Sequence, residues 1–149
     1  MREKITEALK TAMKSGDRQR ASTLRMVNAA IQDRDIANRG TGKGPAGNDE
    51  VLQILTKMVK QRQESAKAFD DGKRPDLAAV ENAEIAIIAE YLPSQMEESD
   101  ARAAIGQAIR DTGATGARDM GKVMAELKAK YTGQMDFGKA SGWVKELLQ

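Results

Sequence analysis

Two carboxylates three residues apart, Glu81 and Glu84, are the pair in this 149-residue chain best spaced to do chemistry. On a helix that spacing puts both on one face, as a shared metal ion or an acid–base pair requires. Histidine and cysteine are both absent, which removes imidazole catalysis, thiolate nucleophiles, disulfides and the usual zinc sites. With no third carboxylate at converging spacing, Glu81 and Glu84 read as solvated charge. No catalytic residue, metal ion or cofactor is expected.

Phosphate chemistry is the next possibility. Gly40-Thr41-Gly42-Lys43-Gly44-Pro45-Ala46-Gly47 contains a Gly-Lys pair, but a phosphate-binding loop needs four residues between its glycines, Ser or Thr after the lysine, and a preceding strand. Here Gly44 follows Lys43 and a helix pattern precedes the loop. The stretch reads as a mobile linker. A second motif occurs twice: Asp119-Met120-Gly121-Lys122 and, 17 positions later, Asp136-Phe137-Gly138-Lys139. Each Asp is placed to cap a helix, each apolar neighbour to pack inward, and each Gly-Lys to leave an open first turn with a positive charge. A capping Asp repels an anion from its own helix N-terminus, so Lys122 and Lys139 are better phosphate contacts than the backbone amides.

These motifs need helices to carry them, and the apolar periodicity is helical throughout. Ile5, Ala8, Leu9, Ala12 and Met13 mark a helix over 2–15, which Gly16 ends and after which Asp17 caps the next. That helix, 18–38, buries Leu24, Val27 and Ile31. A third, 49–71, buries Val51, Leu52, Leu55, Met58, Val59, Ala66 and Phe69 and exposes Lys57, Lys60, Arg62 and Lys67. A fourth, 76–92, buries Leu77, Val80, Ile85, Ile87, Ile88 and Leu92. Pro93 then disfavours helical geometry in the residue before it, so a hinge is expected at Glu90-Tyr91-Leu92-Pro93. Beyond it, 97–112 forms a fifth helix through Ala101, Ala104, Ile105, Ala108 and Ile109. Met120, Val123, Met124 and Leu127 face inward from a sixth, and Phe137, Ala140, Val144, Leu147 and Leu148 from a seventh. The organisation expected is all-α: an N-terminal helical domain, 1–92, and a C-terminal three-helix domain, 93–149.

Charge separates the two parts. Up to Arg74 there are 16 basic and 10 acidic residues, and after it 8 and 12, so the halves carry about +6 and −4. A basic half attracts polyanions. No apolar run approaches the roughly 20 residues that span a bilayer, so neither a membrane nor a membrane partner is expected. The charged start, Met1-Arg2-Glu3-Lys4, lacks the apolar core of a secretory signal, and a cytoplasmic protein is expected.

Taken together, Glu90-Tyr91-Leu92-Pro93, Asp119-Met120-Gly121-Lys122-Val123-Met124, Asp136-Phe137-Gly138-Lys139 and Val144-Lys145-Glu146-Leu147-Leu148 resemble the GatB/YqeY domain, in its stand-alone YqeY-like form. The resemblance covers essentially the whole chain. It implies an N-terminal four-helix portion followed by a C-terminal three-helix GatB/YqeY-type bundle. In the B subunit of glutamine-dependent aminoacyl-tRNA amidotransferases, the similar tail domain helps hold tRNA while the chemistry occurs elsewhere. The family label is therefore carbon–nitrogen ligase with glutamine as amido-nitrogen donor, but this chain is similar to the tail alone. The implied function is a tRNA-binding or amidotransferase-associated module, non-catalytic by itself. Its partners would be tRNA or a protein such as an amidotransferase or tRNA synthetase. Arg18, Arg25, Lys57, Lys60, Arg62 and Lys67 would then meet phosphates, joined by Lys122 and Lys139. The alternative is a helical protein-interaction module using the hinge groove or the Met-rich face of the sixth helix.

Overall fold

Glycine, proline and aspartate set most of the helix ends. The computed structural model describes residues 1–148 and contains seven α-helices and one short 3-10 turn, with no strand among the described residues. The chain is all-α and clusters into two compact units, Met1–Pro93 and the residues from Ser94 onward.

In the first unit, α1 (Arg2–Ser15) ends where Gly16 adopts a left-handed φ of 77° and its N–H reaches the Ala12 carbonyl. Only glycine takes that conformation without a steric cost. Asp17 then accepts a hydrogen bond from the Arg20 N–H at 3.1 Å, capping α2 (Arg18–Gly40). After the glycine-rich loop, α3 runs Asn48–Asp71, and α4, Pro75–Ala89, starts on a proline whose missing N–H costs nothing there. Ile5 of α1, Leu24, Val27 and Ile31 of α2, Val51, Ile54, Leu55 and Met58 of α3, and Ile87 and Ile88 of α4 form one buried cluster. Each such side chain contributes about 1.5–3 kcal/mol on burial.

Several expectations about this unit are corrected. The fourth helix ends at Ala89 rather than Leu92, because residues 90–92 tighten into turns with N–H bonds three residues back. That adjustment brings the chain to Pro93 without a clash. Val80 is 49% exposed and Met13 is 53% exposed. Because α4 is apolar around most of its circumference, its pattern offers more than one inward face, and packing selects between them. The loop at 40–47 is tethered, not a mobile linker. Asn38, itself buried, donates to the Gly44 carbonyl at 3.1 Å and to Glu50 at 2.8 Å. Asp35 accepts from the buried Ala46 N–H at 2.8 Å and pairs bidentately with Arg2 at 2.9 and 2.6 Å.

In the second unit, α5 is Glu98–Thr112, the 3-10 turn Ala117–Asp119, α6 Met120–Tyr131 and α7 Phe137–Leu148. Its core mixes three alanines with larger aliphatic residues: Ala101, Ile105 and Ala108 from α5, Val123 and Leu127 from α6, Met135, and Ala140, Val144 and Leu148 from α7. Helix α5 places these at intervals of four and three and α7 at intervals of four, and the alanines let helix axes approach closely. Leu147, expected inside, is 47% exposed. Met120 and Met124 pack against the core, so the sixth helix does not offer an open methionine face. Trp143 also packs there, with the Arg102 guanidinium 5.2 Å from its ring centroid.

Candidate nucleic-acid interface

The cations singled out from the sequence divide by what surrounds them. Lys57 and Lys67 stand exposed on the outer face of α3, with no ion pair or side-chain hydrogen bond among the described residues. Lys60 is exposed on that same face. The intervals of three and seven from Lys57 to Lys60 to Lys67 keep all three within one side of the helix. Glu64 lies in the same stripe and partly offsets their charge.

Arg62 behaves differently. Its Nε donates to Glu84 at 2.8 Å, one Nη to the Met58 carbonyl at 3.2 Å, and the other approaches the Met26 sulfur at 3.5 Å. The Arg62 and Glu84 side chains are 14% and 19% exposed. Arg62 therefore faces the α3–α4 seam and does not join the outer lysines. Three of its donors are directed at protein acceptors, and freeing them would leave Glu84 half-buried and unpaired. The pairing also removes Glu84 from any acid–base or metal role with Glu81. Among the described residues no group of three acidic side chains is placed to hold a metal ion.

On α2, the structure brings Arg18 and Arg25 together along one wall of a groove at the α1–α2 elbow, with Ser22 between them. The spacing of 18, 22 and 25 carries that shared face in the sequence. What the sequence did not signal is the opposite wall, supplied by Met13.

In the second unit Lys139 is exposed on the first turn of α7. There Asp136 does cap the helix, accepting from the N–H groups of Gly138 at 2.8 Å and Lys139 at 3.3 Å. Asp119 does not repeat the arrangement. It folds back to accept from the Thr115 N–H at 3.0 Å and hydroxyl at 3.4 Å, closing the turn before α6. The Thr115 N–H and then the charge of Lys122, 4.0 Å away, hold the Asp119 carboxyl below the ordinary aspartate range. Lys122 remains 71% exposed. The three-residue 3-10 turn ahead of α6 makes the difference between the two motifs.

Electrostatic ties that sequence reasoning missed hold the first unit's helices. Arg20 pairs with Glu90 at 2.7 Å across 70 positions, joining α2 to the turn after α4. The Arg2 hydrogen bonds, followed by the Ala46 N–H, hold the Asp35 carboxyl below its usual range. Burial, followed by the charge of Glu90, pushes the Tyr91 hydroxyl up. No local sequence pattern reports such partners, because they meet only when antiparallel helices pack.

A family model described as "Yqey-like protein" matches residues 2–148. Among curated proteins, the chain is 36% identical over 92 residues to "Altered inheritance of mitochondria protein 41, mitochondrial" of Clavispora lusitaniae, covering 62% of this chain and 51% of that protein. The protein of the same name in Meyerozyma guilliermondii is 38% identical over 96 residues, 63% of this chain and 47% of that one. For Saccharomyces cerevisiae the figures are 32% over 84 residues, 56% and 44%. The matched region thus spans about half the length of these relatives. Their names overturn the expectation of a cytoplasmic protein, since each is named mitochondrial. The charged first residues on which that expectation rested are therefore no guide to compartment. No described helix is long and apolar enough to cross a membrane. With a family match running through both units, from α1 to the end of α7, the chain belongs to the Yqey-like protein family.

Proposed function

We propose that this protein is a tRNA-binding or tRNA-amidotransferase-associated module that performs no chemistry alone. The observation that carries the reading is the outer face of α3, where Lys57 and Lys67 are exposed and unpaired and Lys60 lies on the same side. Cations aligned along a helix follow a phosphate backbone, and their attraction is sequence-independent. The resemblance of the chain to the tail of the amidotransferase B subunit supports tRNA as the polyanion. Lys122 and Lys139, exposed at the starts of α6 and α7, would supply contacts from a C-terminal three-helix domain. Arg62 is withdrawn from the proposed contacts because Glu84 holds it.

The test is binding of the purified protein to bulk tRNA across a salt series, with duplex DNA of equal charge as control. The expected result is a preference for tRNA and a steep loss of affinity with salt. A Lys57→Glu/Lys67→Glu variant should flatten the slope of log K against log salt by about 2, roughly one per lost contact. Weak, equal binding to both nucleic acids, or a variant indistinguishable from the parent, sinks the reading.

A further inference from the structure

Where α1 turns into α2, small residues leave a gap. Ala12 and Ala21 are buried at its floor, and Gly16 contributes no side chain. The result is an open groove of about 630 Å³ with Met13 on one wall and Arg18, Ser22 and Arg25 on the other. Arg18 and Arg25 are exposed, and their side chains make no ion pair or hydrogen bond among the described residues. The adjoining carboxylate, Asp17, is already engaged with Arg20, through its backbone N–H at 3.1 Å and its Nε at 3.6 Å.

The wall continues along α2. Arg18, Ser22, Arg25, Ala29, Gln32 and Ile36 follow one another at intervals of four, three, four, three and four, and all are exposed, Ile36 at 63%. That spacing keeps all six on one exposed face of α2, and the small Ser22 and Ala29 permit close approach by a partner. Positions 18 and 25 lie two turns apart, about 10.5 Å along the helix axis. The arginines there complement two carboxylates at the same spacing, while Met13 and Ile36 complement apolar side chains. A nucleic acid would satisfy the arginines but offer nothing to Met13 or Ile36, and no aromatic residue lies in this face to stack a base.

We propose that the α1–α2 elbow and the outer face of α2 dock an acidic amphipathic helix of a protein partner. This does not rest on the tRNA reading, which is carried by α3. Mode and chemistry are those of a helix laid along a groove, with aliphatic anchors and a charged flank that sets register.

The probe is a fluorescently labelled synthetic helix with two glutamates seven residues apart and leucines on the same face, set against a scrambled peptide of equal composition. Binding of the designed helix alone is expected, with amide shifts confined to Met13, Ser22, Arg25 and Ala29. Arg18→Glu/Arg25→Glu should weaken it at least about tenfold, and a peptide with lysines in place of the glutamates should restore binding to that variant. Both positions are exposed, and circular dichroism checks that the fold is kept. Lys57→Glu/Lys67→Glu should leave peptide binding unchanged, so failure of this proposal is separable from failure of the tRNA reading. No saturable binding by about 1 mM, indifference to charge reversal, or shifts elsewhere would overturn it. So would displacement of the peptide by tRNA with the same groove residues shifting, which would make the groove a nucleic-acid site.

Discussion

The two units of this chain are each tied together differently. The first packs leucine, isoleucine, valine and methionine from four helices and then ties those helices with side chains far apart in sequence. Arg2 meets Asp35, Arg20 meets Glu90 and Arg62 meets Glu84. In the second, larger side chains such as Met120, Met124, Phe137 and Trp143 pack against a core with three alanines, and several ion pairs stay within one turn, such as Lys130 with Glu126 and Arg102 with Glu98. Arg102 reaches further, to Glu146 at 3.1 Å, while lying over Trp143. The contrast teaches how to sort a basic surface. A count of cations treats all of them alike, whereas in the first unit some hold the helices together and others are left over. Those left over include Lys57 and Lys67 on α3 and Arg18 and Arg25 on α2, which remain available to a ligand.

The largest effect that would sharpen this contrast comes from the cores. Leu24→Ala in the first unit and Leu127→Ala in the second each empty a fully buried site. Each should cost about 2–5 kcal/mol. If the units are separate cooperative bodies, hydrogen exchange will speed across Ile5–Ile88 for the first variant and across Ala101–Leu148 for the second. Equal loss of protection in both regions from either variant would erase the distinction.

A smaller effect separates building cations from free ones. Arg62→Ala leaves Glu84 without its partner in a half-buried setting and should destabilise by about 1–3 kcal/mol. The Arg62→Leu/Glu84→Leu double variant should recover part of that loss, and neither should alter the salt slope of tRNA binding. A drop in that slope equal to the one from Lys57→Glu would place Arg62 back among the phosphate contacts. The smallest effect is in acid. Asp35 and Asp119 both have folded-state pKa values below the ordinary aspartate range. A depressed carboxylate adds stability that is present above its unfolded pKa, about 3.9, and is lost as pH falls through the folded value. Asp35→Asn should therefore flatten the acid limb of the first unit's melting curve below about pH 4, where Asp119→Asn affects the second. Acid limbs unchanged in both variants would show that these contacts do not carry over to solution.

Much of the fold was legible because helices report themselves locally. The spacing of Ile5, Leu24, Val27 and Leu55, and of Ala101, Ile105 and Ala108, marks inward faces without knowledge of what they face. Gly16, Asp17, Pro75, Gly113 and Asp136 mark boundaries through backbone chemistry. Val80 and Leu147 were misplaced for the opposite reason. On helices with apolar residues around more than one side, periodicity cannot say which side finds a neighbour. The glycine-rich loop misled because glycine content sets what a backbone is free to do, and Asn38 and Asp35 decide what it does.

By itself the sequence determined seven helical segments, most of their ends, and a basic first half, because each depends on residues within a few positions of one another. Only the tertiary structure decided which cations are spent. Arg62 turns inward because α3 and α4 pack so that Glu84, 22 positions on, comes within 2.8 Å. Arg18 and Arg25 gain an apolar opposite wall because α1 folds back past Gly16 and leaves Met13 beside them. Charge is a property of composition, but availability of charge is a property of packing, since it depends on partners that only the folded chain supplies.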